Sequence, residues 1–243
     1  MQSSVYIAAA VMLFALACNK DNAPGILKTT GKKTEINRKI ESFRNLEVWD
    51  EFDIILVQDS QFYVEITAGK NLLPEIETAV INNTLVLKNK NKFNWVRKLG
   101  QRFSIKVHCA AIDNFEINGA ATLTNKDTLI GDRVNVNHSG TGNINLVINC
   151  DWFTFRCSNV GNLTAVGSCG ILAGTVEQTA IFDGTYFTSS DAYFYHYSLS
   201  NSILQADKAL GLNIYGAGNL YYLKEPLLRK VIFRYGKGDA FLR

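Results

Sequence analysis

VNVNHSGTGNINLVINC (Val134–Cys150) is rewritten nineteen residues later as FTFRCSNVGNLTAVGSC (Phe153–Cys169). Val134 aligns with Phe153, Val136 with Phe155, Gly142 with Gly161, Asn143 with Asn162, Ile144 with Leu163 and Cys150 with Cys169. A nineteen-residue comb predicts an inward column of Ile117, Val136, Phe155, Gly174, Tyr193, Leu212 and Val231. Two residues on, His138, Cys157, Val176, Tyr195, Ile214 and Phe233 form a second column. Ile144, Leu163, Phe182 and Leu220 form a third, with one miss at Asn201. Within VNVN, FTFR and LNIY apolar residues alternate with mainly polar ones, as in half-buried strands.

The period is too short for a four-stranded propeller blade and lacks the pattern of helix pairs. It predicts one β-coil per repeat, with equivalent residues stacked at the ~4.8 Å strand spacing. Burial of the columns supplies the driving force, ~25 cal/mol per Å² of apolar surface. A meander or sandwich of hairpins is the competing all-β solution, because Gly-Asn clusters also make hairpin turns. Hairpins leave the single-register repeat without a cause. The corners SGTGN, SNVGN, SLSNS and GAGN suggest that Gly140, Gly142, Gly161, Gly216 and Gly218 adopt positive φ, with Asn and Ser bonding nearby backbone. Upstream, residues 37–110 are less regular and read as distorted first coils or as a cap over the open end.

The N-terminus is of another kind. VYIAAAVMLFALAC (Val5–Cys18) is an uncharged apolar run, shorter than the ~20 residues of a membrane-spanning helix, and suits a signal peptide over residues 1–17. It ends in ALAC, which resembles a bacterial lipobox and makes Cys18 the expected lipidation site. Residues 18–36 are polar, contain Pro24, Gly25 and Gly31, and read as a tether. Acyl chains on Cys18, each contributing ~0.8 kcal/mol per buried CH₂, would make a membrane the first partner. Basic clusters at Lys28–Lys39 and Leu87–Arg102 read as solvated segments or as contacts with an anionic membrane surface.

FRNLEVWDEFDIILVQDSQFYVEITAGKNLLPEIETAVINNTLVLKN (Phe43–Asn89), FEINGAATL (Phe115–Leu123) and the later Gly-Asn corners resemble the head GIN domain proteins, putative autotransporter adhesins. The resemblance covers roughly Phe43 to Arg243. It implies a right-handed, single-stranded parallel β-helix of one domain on the cell envelope; the repeat itself places that domain at residues 37–243, with regular coils from 111. It brings no functional residues with it.

Chemistry is sparse. The three histidines, His108, His138 and His196, have no ligand spacing, so no metal or other cofactor is expected, and His138 reads as a satisfied interior residue. Cys109, Cys150, Cys157 and Cys169 read as buried thiols, with Cys150 and Cys169 the pair to test for a disulfide. Asp50, Glu51 and Asp53 are the densest acidic cluster and would carry a polysaccharide-degrading activity, were there one; neighbours on opposite faces of a strand argue against it. No nucleic-acid motif appears. The columns, taken at nineteen, turn Tyr193 and Tyr195 inward and leave Phe194, His196, Tyr221 and Tyr222, with Tyr186, as candidate ligand contacts for a glycan or a protein. The expectation is a non-enzymatic, lipid-anchored adhesin or scaffold, with a carbohydrate-binding or polysaccharide-degrading β-helix as the alternative.

Overall fold

The computed structural model describes residues 30–91 and 103–243. The expected signal peptide, Cys18, most of the tether and most of the second basic cluster lie outside the described residues.

The irregular N-terminal region forms both a first coil and a cap. Strand β1 (Lys33–Lys39) runs antiparallel to β4 (Tyr63–Gly69), which pairs antiparallel with β7 (Phe103–Cys109). Between them in sequence, β2 (Asn45–Val48) and β3 (Phe52–Gln58) are the first parallel rungs. A hairpin of β5 (Ile76–Ile81) and β6 (Thr84–Asn89) closes the edge beside β2, and its two turn residues, Asn82 and Asn83, both have positive φ as a tight two-residue hairpin requires.

The coils then run through β8 (Asn114–Ile117), β9 (Thr122–Asn125), β10 (Leu129–His138), β11 (Asn143–Cys157), β12 (Asn162–Gln178), β13 (Ile181–Ser198), β14 (Ser202–Leu204), β15 (Ala206–Ile214), β16 (Leu220–Tyr222), β17 (Arg229–Arg234) and β18 (Ala240–Leu242). Every pairing from β8 onward is parallel. Val136 stands over Phe155, as the repeat predicts.

The period is not constant, and this overturns part of the expected columns. The true inward column is Phe115, Val136, Phe155, Gly174, Phe194, Leu212 and Ile232. Between β12 and β13 the register moves from Thr164 opposite Asp183 to Val166 opposite Tyr186, so β13 holds one extra residue. The Asp183 carboxylate accepts hydrogen bonds from the Thr185 backbone N–H (3.0 Å) and hydroxyl (2.6 Å), which hold the bulge. One added residue turns every later side chain of the strand to the opposite face. Phe194 and His196 are therefore interior, each with 0% exposure, while Tyr193, Tyr195 and Tyr197 are 49%, 44% and 43% exposed. In the third column the position opposite Phe182 is Ser202 rather than Asn201, and its hydroxyl accepts the Phe182 backbone N–H at 3.1 Å.

Glycines fill the corners for room and not for φ. None of Gly140, Gly142, Gly161, Gly216 or Gly218 has positive φ. A Cβ on Gly140 would stand 1.8 Å from the Gly119 carbonyl oxygen, and one on Gly142 at 1.8 Å from that of Ala121. Inside, Gly174 admits the rings of adjacent rungs: Phe155 and Phe194 meet edge to face across it at 5.8 Å. His138 is fully buried and its Nε2 stands 2.7 Å from the Gly142 carbonyl, a satisfied interior residue as expected. Cys109, Cys157 and Cys169 are buried and Cys150 half-buried; Cys150 and Cys169 are neighbours in register, and all four are thiols.

At the far end β17 and β18 are the last rungs, paired on one side only among the described residues. Arg229, Lys230 and Arg234 charge this edge, which discourages pairing with another strand.

Candidate binding surface

The residues singled out from sequence do not meet at one site. Phe194 stacks inside against Phe155 and Phe182, and His196 lies beneath it with neither ring nitrogen hydrogen-bonded. Burial pushes the His196 pKa down to about 4, and the Ser200 backbone offsets this only in part. Tyr222 is buried too, its hydroxyl accepting from Lys230 Nζ at 3.3 Å. Only Tyr221 is half-exposed, and it lies on another face, in a groove of about 500 Å³ with Asp183, Ile203 and Arg243. Tyr186 is exposed, as expected. The acidic cluster has structural duties: Asp50 accepts the Asn89 N–H (2.7 Å) and Asp53 the Thr122 hydroxyl (2.7 Å). Among the described residues no group of three His, Cys, Asp or Glu side chains is placed to hold a metal.

A different surface emerges on the face built from β2, β8, β15, β17 and the second halves of β10 to β13. Its outward side chains alternate with the inward columns, so each stacks on its counterpart one rung away. Along the first coils they pair with one another. Asn114 donates to Asn45 (2.7 Å), Thr154 to Asn135 (2.9 Å), and Asn137 to the Glu116 carboxylate (2.8 Å). Arg156 binds Glu177 through two nitrogens at 3.1 Å each.

Beyond Glu177 the same face becomes aromatic. Tyr197, Tyr215 and Tyr235 form a ladder with ring centroids 4.5 and 4.6 Å apart and planes within 9° and 11°. Phe233 flanks Tyr235 at 6.3 Å. Burial of Tyr215 between the other two rings, and then their phenols, raise its pKa. Beside the ladder is a slot of about 200 Å³ lined by Tyr193, Gly211, Asn213, Arg229, Val231 and Phe233. Sequence reasoning missed Tyr197, Tyr215, Phe233 and Tyr235 as a group. The recurrence of Tyr at spacings of eighteen and twenty was the available signal, hidden by a fixed comb.

A fold of stacked parallel coils is what the sequence resemblance implied; the antiparallel pairings of β1, β4 and β7 were not part of it. The family model described as "Putative auto-transporter adhesin, head GIN domain" matches residues 42–226. The chain belongs to that family. Head GIN membership implies an adhesin-like role and an exported or cell-surface protein. Three solved structures have a similar fold. A putative adhesin from Bacteroides fragilis is 16% identical, with a TM-score of 0.81 over 86% of this chain and 96% of that one. A putative lipid binding protein from Parabacteroides distasonis is 18% identical (TM-score 0.67, 87% and 97% covered). A putative adhesin from Parabacteroides merdae is 15% identical (TM-score 0.64, 88% and 98% covered). At these identities the likeness is one of fold. No curated protein matches the sequence.

Proposed function

We propose that this head GIN protein is a non-enzymatic envelope adhesin, tethered to the membrane through lipidated Cys18, that engages its ligand with the aromatic face of its last three coils. One observation carries the reading: a single face changes from mutually paired amides and ion pairs to exposed rings at Tyr193, Tyr195 and Tyr197, then Tyr215, Phe233 and Tyr235. Clustered exposed aromatics on a soluble face mark contact surfaces, since each offers a large apolar area with a polar tip. The adhesin family description and the lipobox-like ALAC support the same role and location.

The test uses purified protein on beads and a surface coated with mucin, which displays both polypeptide and glycan. Replacing Tyr197, Tyr215 and Tyr235 together by Ser should lower bead retention at least tenfold while the melting temperature stays within a few degrees. Retention equal to wild type would exclude this face. Mass spectrometry of the mature N-terminus tests the anchor: an unmodified Cys18 ends that part of the proposal.

A further inference from the structure

We infer that the slot over Gly211 is a subsite for a carboxylate-bearing pyranose, a sugar-acid residue of a glycan; this deepens the adhesin reading and rests on it. Three consecutive rungs build the slot. Tyr193 and Tyr195 stand opposite Gly211 and Asn213, which stand opposite Val231 and Phe233. At ~4.8 Å per rung the outer two walls are ~10 Å apart. The middle rung has no side chain at Gly211, so the gap between the walls stays open. Two carbon contacts of ~3.5–4.0 Å consume most of that width and leave room for one puckered ring. Tyr193 borders the gap directly: its Cδ1 is 3.2 Å from where a Gly211 Cβ would stand.

Polar groups give the slot its chemistry. The Asn213 amide, half-buried in the lining, has one acceptor and two donor hydrogens, the complement of ring hydroxyls. Arg229 stands on the lining as well. Asp207 is paired with Lys224 (2.8 Å), Glu225 with Lys230 and Asp239 with Arg234, while Asp191, two rungs from Arg229 in its register, accepts the Ser190 hydroxyl at 3.0 Å. Arg229 has no ion pair among the described residues, and its planar fork matches a carboxylate. Aromatic and aliphatic walls, a hydroxyl-matching amide and an uncommitted guanidinium together describe an acidic sugar better than a neutral one. They also describe it better than a flat apolar group, which would leave Asn213 and Arg229 unused.

Two substitutions separate recognition from folding. Gly211 lies in a strand with φ outside the left-handed region, and the tight contact that a Cβ would make, 3.2 Å to the ring of Tyr193, is relieved by an outward turn of that exposed side chain, so Gly211→Val fills the slot with a good strand former. Arg229→Gln removes the charge from an exposed residue. Calorimetric titration with oligogalacturonate and with neutral cello-oligosaccharide is the assay. Wild type should bind the acidic oligomer at least tenfold more tightly. Arg229→Gln should abolish that preference, and Gly211→Val should lose binding of both, each with wild-type melting. No binding of the acidic oligomer by wild type, or wild-type binding by Gly211→Val, overturns the assignment. Mucin retention distinguishes the levels. If it persists in both slot variants, or survives periodate oxidation of the mucin glycans, yet is lost in the triple tyrosine variant, the sugar subsite falls and the adhesive face stands. If the tyrosine variant also retains binding, the face itself falls.

Discussion

Replacing His196 by Leu should make the protein both more stable at neutral pH and less sensitive to mild acid. His196 is fully buried between Val176 and Ile214 in its column, packs 6.3 Å from Phe194, and completes no hydrogen bond with either ring nitrogen. Its folded pKa lies at about 4 against an ordinary 6.5, because burial disfavours the charged ring. The unfolded chain therefore binds more protons between those values. Stability is whole above pH 6.5 and is lost as the pH falls toward 4. With one pKa unit worth 1.36 kcal/mol, the full loss is about 3 kcal/mol, and about 2 kcal/mol of it appears between pH 7.5 and pH 5. Asp59, Glu65 and Asp239 have pKa values lowered by hydrogen bonds, so their contributions fade in more acid solution. Urea unfolding at pH 7.5 and pH 5, for wild type and His196→Leu, measures the difference. The variant should gain about 1 kcal/mol at pH 7.5 by removing unpartnered polar atoms from the core, and should be spared the His196 share of the loss at pH 5. An equal drop for both proteins would refute the reasoning.

Deleting Thr185 tests the bulge: it restores a nineteen-residue coil while Tyr186 stays opposite Val166 and Tyr193, Tyr195 and Tyr197 stay outward, so unfolding should remain cooperative, and a deletion protein without a cooperative transition would contradict the register argument. Gly174→Val should cost about 1–3 kcal/mol in denaturant titration, because its Cβ would fall 2.5 Å from the Phe155 ring and 2.8 Å from that of Phe194. Burial pushes Cys109, Cys157 and Cys169 up to about 12 and Cys150 up to about 11, so a thiol reagent at pH 8 should react slowly with native protein and promptly in urea without added reductant; failure of Cys150 and Cys169 to react after unfolding would reveal a disulfide.

The coil was legible because like residues recur on stacked rungs: Val136 and Phe155, Ile144 and Leu163, Cys150 and Cys169 are neighbours as the repeat predicts. The corner glycines were legible as well, though their reason was not. A sequence shows that a side chain is missing; it does not show the carbonyl 1.8 Å away that excludes it.

The binding face was the part that sequence could not locate. By itself the chain determined an all-β stack, the stacking of like residues from Val136 to Gly174, and its family, since these depend on periodic burial and on local motifs. Which aromatics face water depends on parity along each strand, and parity was set by one bulged residue at Asp183–Thr185 and by coil lengths of eighteen and twenty beyond it. The bulge comes from how Asp183, Gly184 and Thr185 fit over Ile203 and beside Phe182, and the eighteen-residue coil follows a second register shift between Ser189 and Asp191, packing choices made between coils. Tertiary structure alone therefore decided that Phe194 and His196 are core and that Tyr197, Tyr215 and Tyr235 stand outside in a ladder.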